Sequence, residues 1–310
     1  MLVGMSQSVQ ARLAGGLSAA ESDPSIATQP GSSIATQPDP SAATELTDTT
    51  DAADLAPASA RHFLDYELIA HAGGAQTVNG EPVSYANSRE AVLESYAKGH
   101  RVLEVDVDLT SDGRLVLVHF WHDLHKLAGL DVDAPITHAE FKNLKFFGQY
   151  TPLDIDDFVA LVQELPDIFV IIDTKSTGQT GFRRVYTEIL HAVNAADPQL
   201  IGRITPQIYN PDHLAALDQL HHFPEIIYTL WRSPQGSRDV VRFVASEPRI
   251  IAVSMWGHRA LAEPGFVRQL VELDRTVLAH TIDSRTTFTR LQAIGVSSIM
   301  TNTLHPDSLH

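Results

Sequence analysis

The chain has 310 residues, 44% hydrophobic and 19% charged, with 22 basic against 38 acidic side chains and a formal net charge of -16. Such an acidic excess repels a phosphate backbone, which excludes nucleic acid as a partner, and it requires a local positive charge, most simply a bound cation, for any phosphorylated ligand. There is no cysteine, which removes disulfides, thiol nucleophiles and cysteine-based zinc sites.

Residues 1–60 are Ala, Ser, Thr, Pro and Asp with hardly an aromatic, and Ser-Ile-Ala-Thr-Gln-Pro occurs at Ser25–Pro30 and again at Ser33–Pro38. Such a segment buries too little apolar area to offset its ordering entropy, so it is expected to be a disordered tail. The start, Met1–Ala20, carries one positive charge, Arg12, and a weak apolar run broken by glycines. That falls short of a secretory signal, although a Ser-rich start without acidic residues also suits non-classical export. No stretch reaches the ~18 apolar residues of a membrane span. A soluble protein is expected, either cytoplasmic or exported.

From residue 61 to the end, short β-branched runs alternate with amphipathic stretches, the pattern of a parallel sheet. Expected strands are Glu67–His71, Arg101–Asp108, Phe169–Thr174, Arg203–Ile208, Ile226–Trp231, Ile250–Met255, Thr276–Thr281 and Ser297–Thr301. Helices are expected at Ser88–Lys98, Ile155–Glu164, Phe182–Asn194, Pro211–Leu220, Gly265–Leu273 and Ser284–Ala293. This is an α/β chain whose eight strands fit a closed (β/α)₈ TIM barrel. The long stretch from Asp108 to Pro152, opened by the turn Thr110-Ser111-Asp112-Gly113, is an elaborated loop after the second strand.

Chemistry in such barrels sits at the C-terminal strand ends. Acids, histidines and a lysine fall on the first three of those ends, and aromatics on the later ones. In Leu103–Leu109 strict alternation puts Glu104, Asp106 and Asp108 on one face. If that face looks into the barrel, unpaired carboxylates there are costly, and Asp173 at the end of Ile168–Ile172 meets the same difficulty. One divalent cation with oxygen ligands, Mg²⁺ or else Ca²⁺, relieves it; a buried Asp–Lys or Asp–Arg network is the alternative. His71 precedes Gly73-Gly74, where the backbone is free to approach a ligand. His119 closes the run Leu115–Val118. Both end strands near the acids, where imidazole suits proton transfer. His119, His122 and His125 recur every third residue, but without a His-Glu-x-x-His arrangement a zinc site is disfavoured.

The ordered set Ile69-Ala70-His71-Ala72-Gly73-Gly74, Asn87-Ser88-Arg89-Glu90-Ala91, Glu104-Val105-Asp106-Val107, Leu109-Thr110-Ser111-Asp112-Gly113, Val118-His119 and Ile172-Asp173-Thr174-Lys175 resembles the glycerophosphodiester phosphodiesterase family. That family belongs to a superfamily with phosphatidylinositol-specific phospholipase C and spider sphingomyelinase D. The likeness continues through Pro206–Asn210 to Ile299–Asn302. It implies that Glu104, Asp106 and Asp173 are metal ligands, that His71 and His119 are the acid–base pair, and that Lys175 stabilises phosphate charge. Asn87, Gln207, Tyr209, Arg232, Trp256 and His280 are the candidate substrate contacts. Three departures stand out: Ala72 replaces the usual arginine, Phe120 the usual aspartate, and Asp173 the commoner glutamate, as in a Gly-Gly bacterial subgroup. The expected activity is metal-dependent cleavage of a glycerophosphodiester, or of a related sugar or alcohol phosphodiester, in lipid metabolism. Lyase or synthase outcomes from the same site, and a non-catalytic binding barrel, are the alternatives. The expected partner is a small-molecule phosphodiester.

Overall fold

The computed structural model describes residues 62–308; the expected tail and its two hexapeptides lie outside the described residues. In chain order the strands are β1 (Leu68–Ala70), β2 (Gln76–Val78), β3 (Glu81–Val83), β4 (Val102–Leu109), β5 (Leu115–Leu117), β6 (Phe169–Thr174), β7 (Ile204–Ile208), β8 (Ile226–Thr229), β9 (Ile250–Trp256), β10 (Thr276–His280) and β11 (Ser298–Thr301). The helices are α1 (Arg89–Ala97), α2 (Leu124–Ala128), α3 (His138–Asn143), α4 (Ile155–Glu164), α5 (Gln179–Ala196), α6 (Pro211–Asp218), α7 (Ser237–Ser246), α8 (Gly257–Ala262), α9 (Pro264–Glu272) and α10 (Arg285–Gln292). No helix among the described residues is long and apolar enough to cross a membrane.

Eight strands pair in parallel in the order β1, β11, β10, β9, β8, β7, β6, β4, and the Ala70–Leu103 pairing of β1 with β4 closes the ring. This is the expected TIM barrel. Alternation along its strands builds two inner layers. Ile69, Val102, Ile171, Ile227, Ala252, Leu278 and Met300 cluster with Phe63 as an apolar filling. Two residues further along, the inward positions are Glu104, Asp173, Thr229, Ser254 and His280, joined by Asp106, two beyond Glu104, and by Gln207 on β7, all buried. The sequence thus fills the barrel's lower half with hydrocarbon and its C-terminal mouth with polar groups.

The helices cover the outside. In α4 the residues Ile155, Phe158, Val159 and Val162 are buried at helical spacing, each worth about 1.5–3 kcal/mol of burial. Asp154 caps its first turn by accepting from the Asp157 backbone N–H. Every expected strand is present to within about two residues. Outside the long excursion after β4, three features went unforeseen. The hairpin β2–β3 has arms of only three residues, but its turn, Asn79-Gly80 at φ +52° and +86°, is the left-handed pair that a tight hairpin needs. α7 places adjacent β-branched valines, Val240-Val241, in a helix, which weakens the helical signal. Finally, α8 follows β9 without a break.

The excursion itself is a second small core. β5 returns antiparallel to β4, with Leu109 opposite Leu115, and Val116, Val118, Trp121, Leu124, Leu127, Phe141 and Phe146, several of them from α2 and α3, pack together. Trp121 Nε1 donates to Asp108 Oδ2 at 2.9 Å, and Ser176 Oγ donates to Asp108 Oδ1 at 2.7 Å. Asp108 is therefore spent at the rim, tethering the excursion, and does not join Glu104 and Asp106 inside.

Candidate active site

At the C-terminal mouth lies a cavity of about 170 Å³, lined among others by His71, Glu104, His119, Asp173, Lys175 and His280. Ligand atoms of Glu104, Asp106 and Asp173 all lie within 4.8 Å of one another, and the three residues are buried. The registers bring them there: Asp106 pairs with Asp173 across β4 and β6, and Glu104 lies two residues back on the same face.

Lys175 Nζ lies 2.6 Å from Asp106 Oδ1 and 2.5 Å from Asp173 Oδ2, its side chain 5% exposed. The buried Asp–Lys network weighed as an alternative to metal is thus present. It leaves the cluster unbalanced, with three carboxylates to one ammonium. Burial, then the charges of Asp106 and Asp173, push Glu104 well above the usual carboxylate range. Burial also dominates at Asp173, which is raised. At Asp106 burial works in the same direction, but Lys175, His119 and His71 outweigh it and hold the carboxyl down to about 2. Burial opposes the charge on Lys175, yet Asp106, Asp173 and Glu104 push its pKa further up. Asp173 Oδ1 is buried without a hydrogen-bond partner. An all-oxygen donor set with an excess of two negative charges and an unpartnered oxygen fits a hard divalent cation.

Positioning comes from the surroundings. Asn87 is fully buried; its Nδ2 donates to Asp106 Oδ2 at 2.9 Å and its Oδ1 accepts from the Asp106 backbone N–H at 3.1 Å. It stands behind a candidate ligand, away from the cavity lining, and its expected substrate contact is not where the structure puts it. The Ala72 backbone N–H donates to Glu104 Oε2 at 2.9 Å from a left-handed conformation at φ +53°. The two glycines that follow approach a helix: Ser95 Oγ on α1 donates to Gly73 O at 2.7 Å, and a Cβ on Gly74 would fall 1.9 Å from Ser95 Oγ.

Each histidine has one ring nitrogen fixed. Asn302 Nδ2 donates to Asp283 Oδ2 at 2.9 Å, which turns its Oδ1 toward His71 Nδ1 at 3.0 Å. An amide oxygen only accepts, so His71 Nδ1 carries the proton and Nε2 is left for the cavity. Asp123 Oδ2 lies 2.8 Å from His119 Nδ1 and fixes the same tautomer there. Burial opposes ionisation of Asp123, but its hydrogen bond to His119 and their mutual attraction hold it below the usual range. Asp123, Asn302 and Asp283 had no assigned roles in the sequence; the His-x-x-x-Asp spacing was the available signal for the first. Tyr85, also unforeseen, packs between the two imidazoles, its ring centroid 5.0 Å from His71 and 4.3 Å from His119.

The remaining candidates separate. Gln207, Trp256 and His280 line the cavity. Tyr209 is buried behind the lining, its hydroxyl donating to Thr174 O at 3.1 Å. Arg232 lies at the rim, stacked on Trp231 with its Cζ 4.2 Å from the ring centroid, and donates to Lys175 O at 3.2 Å. His122 and His125 turn away to Asp123 and Asp131 with side chains 64% and 69% exposed, so the three regularly spaced histidines do not converge.

A model of the glycerophosphoryl diester phosphodiesterase family matches residues 73–305. No curated protein matches the sequence. Among solved structures, a glycerophosphodiester phosphodiesterase from Parabacteroides distasonis aligns with a TM-score of 0.61 at 19% identity, covering 76% of this chain and 92% of that one. The Thermotoga maritima glycerophosphodiester phosphodiesterase gives 0.57 at 18% identity, over 78% and 95% of the two chains. A phosphodiesterase of Oleispira antarctica, solved in complex with the product sn-glycerol-3-phosphate, gives 0.59 at 17% identity, over 79% and 96%. At these identities the structural likeness is one of fold.

Proposed function

The chain belongs to the glycerophosphoryl diester phosphodiesterase family, and from that premise we propose that it hydrolyses a glycerophosphodiester, or a related alcohol phosphodiester, with one divalent cation and the His71–His119 pair. The observation that carries this reading is a cluster of three buried carboxylates, two of which line one cavity together with two tautomer-fixed histidines. Glu104, Asp106 and Asp173 would hold the cation, Mg²⁺ before Ca²⁺, which when bound would polarise a phosphoryl oxygen and offset developing charge.

The histidines differ in their partners. His71 is held by a neutral amide, and burial lowers its pKa, so at neutral pH it is unprotonated and suited to act as the base. His119 lies against the Asp123 carboxylate, a counter-charge that an imidazolium would need, which suits it to act as the acid. His71 takes a proton from the attacking water as the new O–P bond forms; the P–O bond to the alcohol breaks, and His119 protonates the departing alkoxide. Lys175, deep in the cluster, stabilises the phosphate's negative charge. The products are a phosphomonoester and a free alcohol.

The test is ³¹P NMR of glycerophosphodiesters with the full chain, with Mg²⁺ or Ca²⁺ and with EDTA. Metal-dependent appearance of a phosphomonoester signal is expected. A cyclic phosphate signal would reassign the nucleophile to a substrate hydroxyl and make the enzyme a lyase. Unchanged hydrolysis in EDTA would remove the cation from the reading.

A further inference from the structure

The barrel wall opposite the carboxylates carries polar atoms that the chemistry above does not use. Ser254 on β9 is fully buried and its Oγ has no hydrogen-bond partner; His280, at the end of β10, is 7% exposed and its Nε2 has none either. Both line the cavity. Buried hydrogen-bonding atoms without partners are costly unless a ligand supplies them. Trp256, two residues beyond Ser254, stands 40% exposed at the same cavity, its ring centroid 4.7 Å from that of His280. A flat apolar ring beside uncommitted hydrogen-bonding groups suits a ring polyol, whose C–H face stacks and whose hydroxyls both donate and accept.

The aromatic mouth looks at first like a receptor for a cationic alcohol, since cation–π contact is how such groups are held. The faces of Trp231 and Phe120 are already taken. Lys175 Nζ and Arg232 Cζ lie 5.1 and 4.2 Å from the Trp231 centroid, and 5.5 and 5.7 Å from that of Phe120. Tyr85 is held between His71 and His119. Lys175 and Arg232 oppose a further ammonium beside them and leave the Trp256 ring, which among the described residues carries no such cation, to a neutral ligand. Burial, with His71, Lys175 and His258 around it, drives the His280 imidazole down to about 3. It therefore stays neutral, offering a hydrogen bond and no charge.

We propose that Ser254, His280 and Trp256 form a subsite for a neutral polyhydroxyl alcohol, a ring polyol above all, and that the mouth discriminates against amino alcohols such as choline and ethanolamine. The proposal rests on the phosphodiesterase reading for the identity of the reacting group, but its test does not depend on turnover. The full chain with Mg²⁺ is titrated calorimetrically with myo-inositol 1-phosphate and with phosphocholine, inorganic phosphate serving as the common reference. Binding of the inositol phosphate about tenfold tighter than phosphocholine is expected, the size of one good buried hydrogen bond. Ser254→Ala and Trp256→Ala should each reduce that preference severalfold, and His280→Gln provides a third reading should either fold poorly. Equal or tighter binding of phosphocholine, no binding of the inositol phosphate, or a preference that survives all three substitutions overturns the subsite. Hydrolysis of bis(p-nitrophenyl) phosphate by the unaltered chain reports separately on the phosphodiesterase reading. A polyol preference without hydrolysis leaves the subsite standing and removes the enzyme; hydrolysis without the preference does the reverse.

Discussion

Lys175→Met isolates the electrostatics of the site. The ammonium is the nearest counter-charge to Asp106 and Asp173, and its removal leaves three buried carboxylates facing one another. Breaking one partner out of a buried ion network typically costs about 3–5 kcal/mol. At about 2–4 °C per kcal/mol for a domain of this size, the metal-free variant should melt roughly 6–20 °C below the unaltered protein. The deficit should shrink as pH falls, because Glu104 and Asp173, already raised by burial and mutual repulsion, can neutralise themselves by taking up protons. A divalent cation should replace the lost charge, so the rise in melting temperature on adding Mg²⁺ must be larger in the variant than in the parent. Scanning fluorimetry at pH 5.5 and 8, with EDTA and with Mg²⁺, measures all four corners. A Lys175→Met variant that melts like the parent in EDTA, or gains less from Mg²⁺, refutes the charge assignment.

Glu104→Ala, Asp106→Ala and Asp173→Ala should each abolish the calorimetric signal of Mg²⁺ or Ca²⁺ binding while keeping a cooperative fold; unchanged affinity in all three would remove the site. Metal affinity in the parent should rise with pH and release protons into the buffer, since the raised carboxyls must ionise to ligate; binding that does not vary between pH 5.5 and 8 would contradict this. His71→Ala and His119→Ala should each lower turnover by about 10²–10⁴-fold, and the double variant by far less than the product. A p-nitrophenyl leaving group should rescue His119→Ala and not His71→Ala, and the opposite pattern would exchange the acid and the base. His100 is buried, donates from Nε2 to Leu304 O, and is held down to about 4 by burial. It therefore adds stability above its unfolded pKa near 6.5, lost as pH falls through 4 and amounting to about 3 kcal/mol. His100→Gln should flatten the melting-temperature decline between pH 7 and 4, and an undiminished decline would contradict it.

Legibility in the sequence follows the range of the interaction that sets each feature. Barrel strands are written locally, as runs such as Phe169–Thr174 whose β-branched residues fit one period, so their bounds emerge to within a residue or two. The three carboxylates are legible for a related reason. Once a strand is known to be central, alternation alone says that Glu104 and Asp106 point inward, and an inward acid demands a partner. The same rule misleads at Asp108, which shares the parity of Asp106. It lies beyond the barrel's rim, where Trp121 and Ser176 take its two oxygens. Parity gives direction; it does not say where the barrel ends.

What the sequence hides is set by contacts across long separations. No pattern links Asp283 to His71, since the link runs through the Asn302 amide and depends on which way that amide is turned. Asn87 fits a binding motif by sequence, but its two amide atoms are consumed by one aspartate. Ala72 and Phe120 depart from the family pattern, and the structure gives each a role that does not need the usual side chain. Ala72 contributes its backbone N–H to Glu104. Phe120 presents a ring to Lys175, while an aspartate three residues further on, Asp123, holds the adjacent His119. The departures therefore leave His71 and His119 oriented and alter the walls around them.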